Sequence, residues 1–129
     1  MKFKTLFTTV SLLILALTIS CKSNDCFKSD PAYVTSVESP TIGKVNKTTS
    51  IEVDFQVHNG CGSFRKFIET KDNNISHIEI EAKYVGCMCT QDIPTRTVAY
   101  KFTPKNAGNY ELNFKSSSAE YITVNLTID

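Results

Sequence analysis

The side chains with most chemistry in this sequence are five cysteines, a histidine and a methionine. Cys21 and Cys26 lie near the start, His58 and Cys61 are three apart, and Cys87-Met88-Cys89 is a sulfur-rich triplet. Three chemistries suit such groups. In an oxidising compartment the cysteines of a small exported domain pair as disulfides. Imidazole, thiolate and thioether suit Cu(I), or zinc without the thioether, which makes His58, Cys61, Cys87, Met88 and Cys89 an alternative metal set. A redox dithiol is normally C-x-x-C at a helix start, and Cys87-x-Cys89 has neither the spacing nor a helix. Cys87 and Cys89, two apart in an extended chain, point to one side and would strain to bond each other, so each is expected to take Cys26 or Cys61. The disulfide reading leads, and it needs no cofactor.

Catalytic patterns are not found. There is no Gly-rich phosphate loop, no G-x-S-x-G and no H-E-x-x-H. His58 and His77 have no partner close in sequence, and Glu52, Asp54, Glu79 and Glu81 alternate with apolar residues as a solubilising strand face does. The expectation is a protein that is not an enzyme.

The elements that must position the cysteines are strands. Ile51, Val53, Phe55 and Val57 alternate with Glu52, Asp54, Gln56 and His58, the period of a strand with one buried face. Asn59-Gly60 ends it, and Cys61 follows. A first strand is expected through Tyr33, Thr35 and Val37, ended at Ser39-Pro40, with Ile42 and Val45 covering an edge in the polar connection 41–50. Phe64 to Thr70 makes a third strand whose two phenylalanines break period two. After the Asp72-Asn73-Asn74 turn, Ile78, Ile80, Ala82 and Tyr84 mark a fourth. Val98, Tyr100 and Phe102 mark the fifth, Tyr110, Leu112 and Phe114 the sixth, and Ile122 to Ile128 the last. Seven short strands without a helix predict an all-β antiparallel sandwich over 32–129. If the strands run up and down in turn, Cys26, Cys61, Cys87 and Cys89 all arrive at one end.

The N-terminus carries an address. Lys2 and Lys4 precede an apolar core around Val10–Leu17, with Ser20-Cys21 after it, the form of a secretory signal peptide over 1–20. Ser20-Cys21 resembles a bacterial lipobox, although Thr18 stands where that motif prefers leucine. The resemblance implies that Cys21 is acylated, palmitate-type chains included, and is the first residue of the mature protein. Parity agrees: an exported chain with five cysteines has one left over, and acylating Cys21 leaves four. Residues 21–31 are polar and read as a tether similar to those of outer-membrane lipoproteins of the Bacteroidota. Losing Lys2 and Lys4 from 14 basic residues leaves 12 against 13 acidic, a net charge of −1. That balance supplies no electrostatic reason for a nucleic-acid partner.

Phe102-Thr103-Pro104-Lys105-Asn106-Ala107-Gly108-Asn109-Tyr110 resembles the corner before the penultimate strand of immunoglobulin-like domains, where a tyrosine bonds back to upstream backbone. Tyr110 is the matching residue. There is no tryptophan, and Leu112 replaces the second cysteine of antibody domains, which implies the looser bacterial immunoglobulin-like or fibronectin-like class. The expected role is binding or structural, toward an envelope protein, a glycan or the cell wall. With the cysteine end held near the membrane by Cys21, a partner is expected to meet the loops at Asp72-Asn73-Asn74 and Lys105–Asn109.

Overall fold

A computed structural model describes residues 26–129. The signal-peptide segment and Cys21 lie outside the described residues, as do residues 21–25 of the expected tether. Among the described residues there is no helix, and the strands are β1 (Phe27–Ala32), β2 (Val34–Glu38), β3 (Ile42–Gly43), β4 (Thr49–Gln56), β5 (Gly62–Asp72), β6 (Ile75–Val85), β7 (Thr95–Phe102), β8 (Gly108–Lys115) and β9 (Tyr121–Ile128). They form two sheets. One is β2-β4-β7, and the other is β1-β6-β8-β9-β3 with β5 also on β6.

The core is where the alternation puts it. Ile51, Val53, Phe55 and Val57 on β4 and its end face Ile78, Ile80 and Ala82 on β6, and all are inaccessible or nearly so. Tyr100, Phe102, Leu112, Phe114, Leu126 and Ile128 complete the layer between the sheets. Each Val, Leu, Ile or Phe side chain withdrawn from water contributes about 1.5–3 kcal/mol.

Nine strands replace the seven expected from the sequence. One addition is β1, which occupies residues 27–32 where a tether was expected and pairs antiparallel with the second half of β6, from Phe27↔Val85 to Ala32↔Ile80. Its sequence has no clear period, and Pro31 is tolerated because β1 ends the sheet and has a neighbour on one side only. The other addition is β3, two residues that cover the edge of β9.

Nor is the sandwich wholly antiparallel. β3 runs parallel to β9, and β6 runs parallel to β8 over Ile75–Ile78 against Glu111–Phe114. β6 makes this possible by sharing one edge: β8 takes its first four residues and β1 the last six, while β5 takes the opposite edge.

Two irregular stretches have a common cause. A register shift between Phe64 and Lys66 inserts Arg65 as a bulge in β5, which re-phases Phe67 so that both aromatic rings stay against the core. A second shift between Val34 and Ser36 does the same in β2. There Val34 is buried and Val37 packs on the core, whereas Tyr33 and Thr35, expected on the same face as Val37, turn outward.

At the start of β8, the Tyr110 hydroxyl donates to the Asn106 carbonyl at 2.9 Å, closing the corner over residues 103–108. The Asp72-Asn73-Asn74 turn lies beside it. Asn74 donates from its side-chain amide to the Asn109 carbonyl at 3.0 Å, and its own carbonyl accepts from the Glu111 N–H at 2.9 Å. Asn73, at φ 53°, occupies the left-handed region that asparagine tolerates better than most residues.

Candidate functional site

The opposite end of the sandwich collects the chemistry. β1 starts there, β4 ends there, and β6 ends there, so Cys26, Cys61, Cys87 and Cys89 meet at one pole. They form two disulfides, Cys26–Cys87 with Cα atoms 5.0 Å apart and Cys61–Cys89 with Cα atoms 5.4 Å apart. Both separations lie in the ordinary range for such bonds. Cys87 and Cys89 each have a distant partner, 61 and 28 residues away.

Local backbone geometry explains the pairing. β1 and β6 run antiparallel to Phe27↔Val85, and the Gly86 N–H then donates to the Cys26 carbonyl at 2.9 Å. The strand pair is thereby extended by one rung, which leaves Cys87 beside Cys26. Gly86 adopts φ 131°, a conformation open to glycine, and a Cβ there would press on the Cys61 sulfur at 3.2 Å. On the other side, the Asn59 side chain accepts from the Cys61 N–H at 3.0 Å, forming the tight turn that aims Cys61 at the 86–94 loop.

Arg96 and Tyr84 hold this turn in place. Arg96 donates from Nε to the Gly62 carbonyl at 3.1 Å and from Nη2 to the Gly60 carbonyl at 3.2 Å. The Tyr84 hydroxyl accepts from the His58 N–H at 3.0 Å, and its ring stacks against the His58 imidazole with centroids 5.5 Å apart. Gly62 lies so close beneath that a Cβ would meet Val57 Cγ2 at 2.7 Å and Tyr84 Cε1 at 2.8 Å. Sequence reasoning places Tyr84 correctly on the buried face of its strand but gives no sign of what its hydroxyl does. Arg96 leaves no trace in the sequence, because its role depends on β7 lying beside β4 with Arg96 opposite Phe55.

A shallow groove of about 450 Å³ opens at the pole, bounded by Cys26, Phe27, Asp30, His58, Tyr84 and Gln91 among others. Lys28 and Asp30 form an ion pair across its wall at 2.6 Å. Their hydrogen bond and mutual attraction hold the Lys28 ammonium above its ordinary pKa.

The soft-metal set is not assembled. With Cys61, Cys87 and Cys89 in disulfides this set offers no thiolate, and Met88 points into solvent at 95% exposure. Among the described residues no group of three His, Cys, Asp or Glu side chains is placed to hold a metal ion. The acidic residues read as surface do lie there, with local partners. Glu79 pairs with Lys115 and Glu81 with Arg65, each at 3.0 Å, and the Asp54 carboxylate accepts from Thr97 at 2.6 Å and Ser36 at 2.8 Å.

Residues 51–126 match the family model of the ORF11 β-sandwich domain, and the chain belongs to that family. The match starts at Ile51, the first buried apolar residue of β4, and runs to Leu126 in β9, so it covers most of both sheets. Comparison with curated proteins and with solved structures yields no match.

Proposed function

We propose that this member of the ORF11 β-sandwich family is a non-enzymatic lipoprotein of the bacterial cell envelope, anchored to the outer membrane through Cys21, with a binding or structural role. One observation carries the reading. The two disulfides use Cys26, Cys61, Cys87 and Cys89, and Cys21, five residues before the pole they lock, is the one cysteine outside both bonds. A cysteine left over from the two bonds and beside an apolar leader is what lipidation accounts for, and acyl chains contribute about 0.8 kcal/mol of membrane affinity per buried CH₂.

The sandwich is of the immunoglobulin-like kind in this reading, supported by the Tyr110 to Asn106 bond at the corner where that class places its tyrosine. Its parallel pairings set it apart from the wholly antiparallel members. The far pole, formed by Asp72-Asn73-Asn74 and Lys105–Asn109, is the end held away from the membrane, and it presents polar, exposed side chains suited to an envelope protein, a glycan or wall polymer.

A photo-crosslinking residue placed at Lys105 in living cells tests the binding role. A discrete crosslinked product formed from Lys105 and not from an outward position on β9 such as Asn125 is the expected result. Equal, diffuse labelling at both positions overturns it. Fatty-acid labelling of the wild-type chain that disappears with Cys21→Ser is expected, and unlabelled wild-type protein overturns the anchor.

A further inference from the structure

The cysteine pole carries an apolar tip that the core does not use. Among the described residues nine large apolar side chains are exposed, and four of them, Phe27, Val85, Met88 and Ile93, belong to the segments that build this pole. Phe27 and Val85 are opposite each other at the last rung of the β1–β6 ladder, so their side chains share one face. They are 51% and 60% exposed. Ile93, 65% exposed, precedes Pro94, whose carbonyl accepts from the Val57 N–H where β4 ends. Met88 stands between two cysteines that are each bonded elsewhere. Its backbone is held on both sides, and 95% of it meets solvent. Holding an apolar side chain out with two covalent bonds is unfavourable in water and favourable where a non-aqueous phase adjoins.

We infer that the disulfide-locked pole rests on the lipid surface, with Met88 and Ile93 entering the interfacial layer and Phe27 and Val85 at its margin. The inference rests on the anchor at Cys21 proposed above, and chain length names the occupant. From Cys21 to Cys26 is five residues, at most about 18 Å of fully extended chain. The opposite pole is removed by a further length of β6, whose 11 residues rise roughly 36 Å. An acylated Cys21 therefore keeps the apolar tip within reach of the bilayer and the polar far loops outside it. The Arg65 guanidinium lies over the Phe27 ring at 5.7 Å and is paired with Glu81 at 3.0 Å, so a polar, charged pair borders the apolar tip.

The chain contains no tryptophan, so one substitution supplies a unique fluorescent reporter. Met88→Trp, Ile93→Trp and, at the far pole, Lys105→Trp replace exposed side chains and leave the core intact. Each full-length variant is purified from membranes, its N-terminal mass is recorded, and it is reconstituted into phospholipid vesicles with and without a headgroup-nitroxide lipid. Expected are blue-shifted emission and severalfold stronger quenching at positions 88 and 93 than at 105. An acylated protein whose three reporters behave alike overturns the inference and leaves the anchor standing. Blue-shifted emission at 88 and 93 without lipid quenching also overturns it, because protein and not lipid then covers the tip. An unacylated chain that stays out of the vesicles overturns both the inference and the anchor.

Discussion

Removing the Cys61–Cys89 bridge by Cys61→Ser with Cys89→Ser probes how the pole contributes to stability. The sulfurs are only partly buried at a loop, and serine nearly matches cysteine in size, so the folded state loses little packing. The effect acts through the unfolded chain. For a separation of 28 residues, the entropy of loop closure is worth about 3.6 kcal/mol at 25 °C, and for the 61 residues closed by Cys26–Cys87 about 4.3 kcal/mol. The loops overlap between Cys61 and Cys87, so with one bridge in place the other constrains less, and removing both costs less than the two values together. A domain of this size has total stability of roughly 5–15 kcal/mol, of which one bridge is a substantial part. Thermal unfolding followed by circular dichroism is the assay. The Cys61–Cys89 double variant is expected to melt on the order of 15–25 °C below the parent, and the variant lacking Cys26–Cys87 at least as far below. A melting point within about 2 °C of the parent would refute the reasoning, since it would mean that the bridge restrains nothing in the unfolded chain.

Three further perturbations follow from the same geometry. Tyr110→Phe removes the hydrogen bond to Asn106 and should lower stability by about 1 kcal/mol in chemical denaturation, with no change in the disulfides. Gly62→Ala presses a methyl group against Val57 and Tyr84 and should cost about 1–3 kcal/mol; an unchanged denaturation midpoint would show that the turn is looser than described. Burial, together with its hydrogen bond to Glu69 at 2.8 Å, raises the Tyr100 hydroxyl pKa well above the ordinary tyrosine value. The unfolded chain therefore gives up this proton first as pH rises, and stability should fall with pH from about 10 upward. Lys115, whose pKa is raised by its bond to Glu79, acts in the same sense: its contribution is complete below the ordinary lysine pKa and is lost through the raised one. Tyr100→Phe should flatten the alkaline limb of a plot of unfolding free energy against pH, and an unaltered slope would count against the assignment.

Periodicity reads faces well and neighbours poorly, and this chain shows both. The alternation of Ile51 to Val57 and of Ile78 to Tyr84 identifies two of the most buried strands without error, because one-sided burial imposes period two on sequence. It also brings the four cysteines to one pole, since a cysteine that ends or begins a strand goes wherever that strand end goes. The β1 strand is silent because its exposed residues, Phe27, Lys28 and Pro31, follow no period, and Pro31 suits an edge as well as a coil. Phe64 and Phe67 look irregular because Arg65 is a bulge, and a bulge cannot be told from a loop in one sequence. The parallel pairing of β6 with β8 depends on β1 and β8 dividing one edge of β6, a long-range arrangement with no local signature. Arg96 is missed at the pole for the same reason, because its acceptors, the Gly60 and Gly62 carbonyls, lie more than thirty residues away.

The central claim is a disulfide-locked pole tied to a membrane by Cys21, and its most direct test is the intact mass of the protein isolated from its own envelope without reductant. Predicted is a chain beginning at Cys21 that carries a diacylglyceryl group, resists alkylation at Cys26, Cys61, Cys87 and Cys89, and takes up four alkyl groups only after reduction. An unmodified Cys21, or free thiols at any of the other four before reduction, would contradict it.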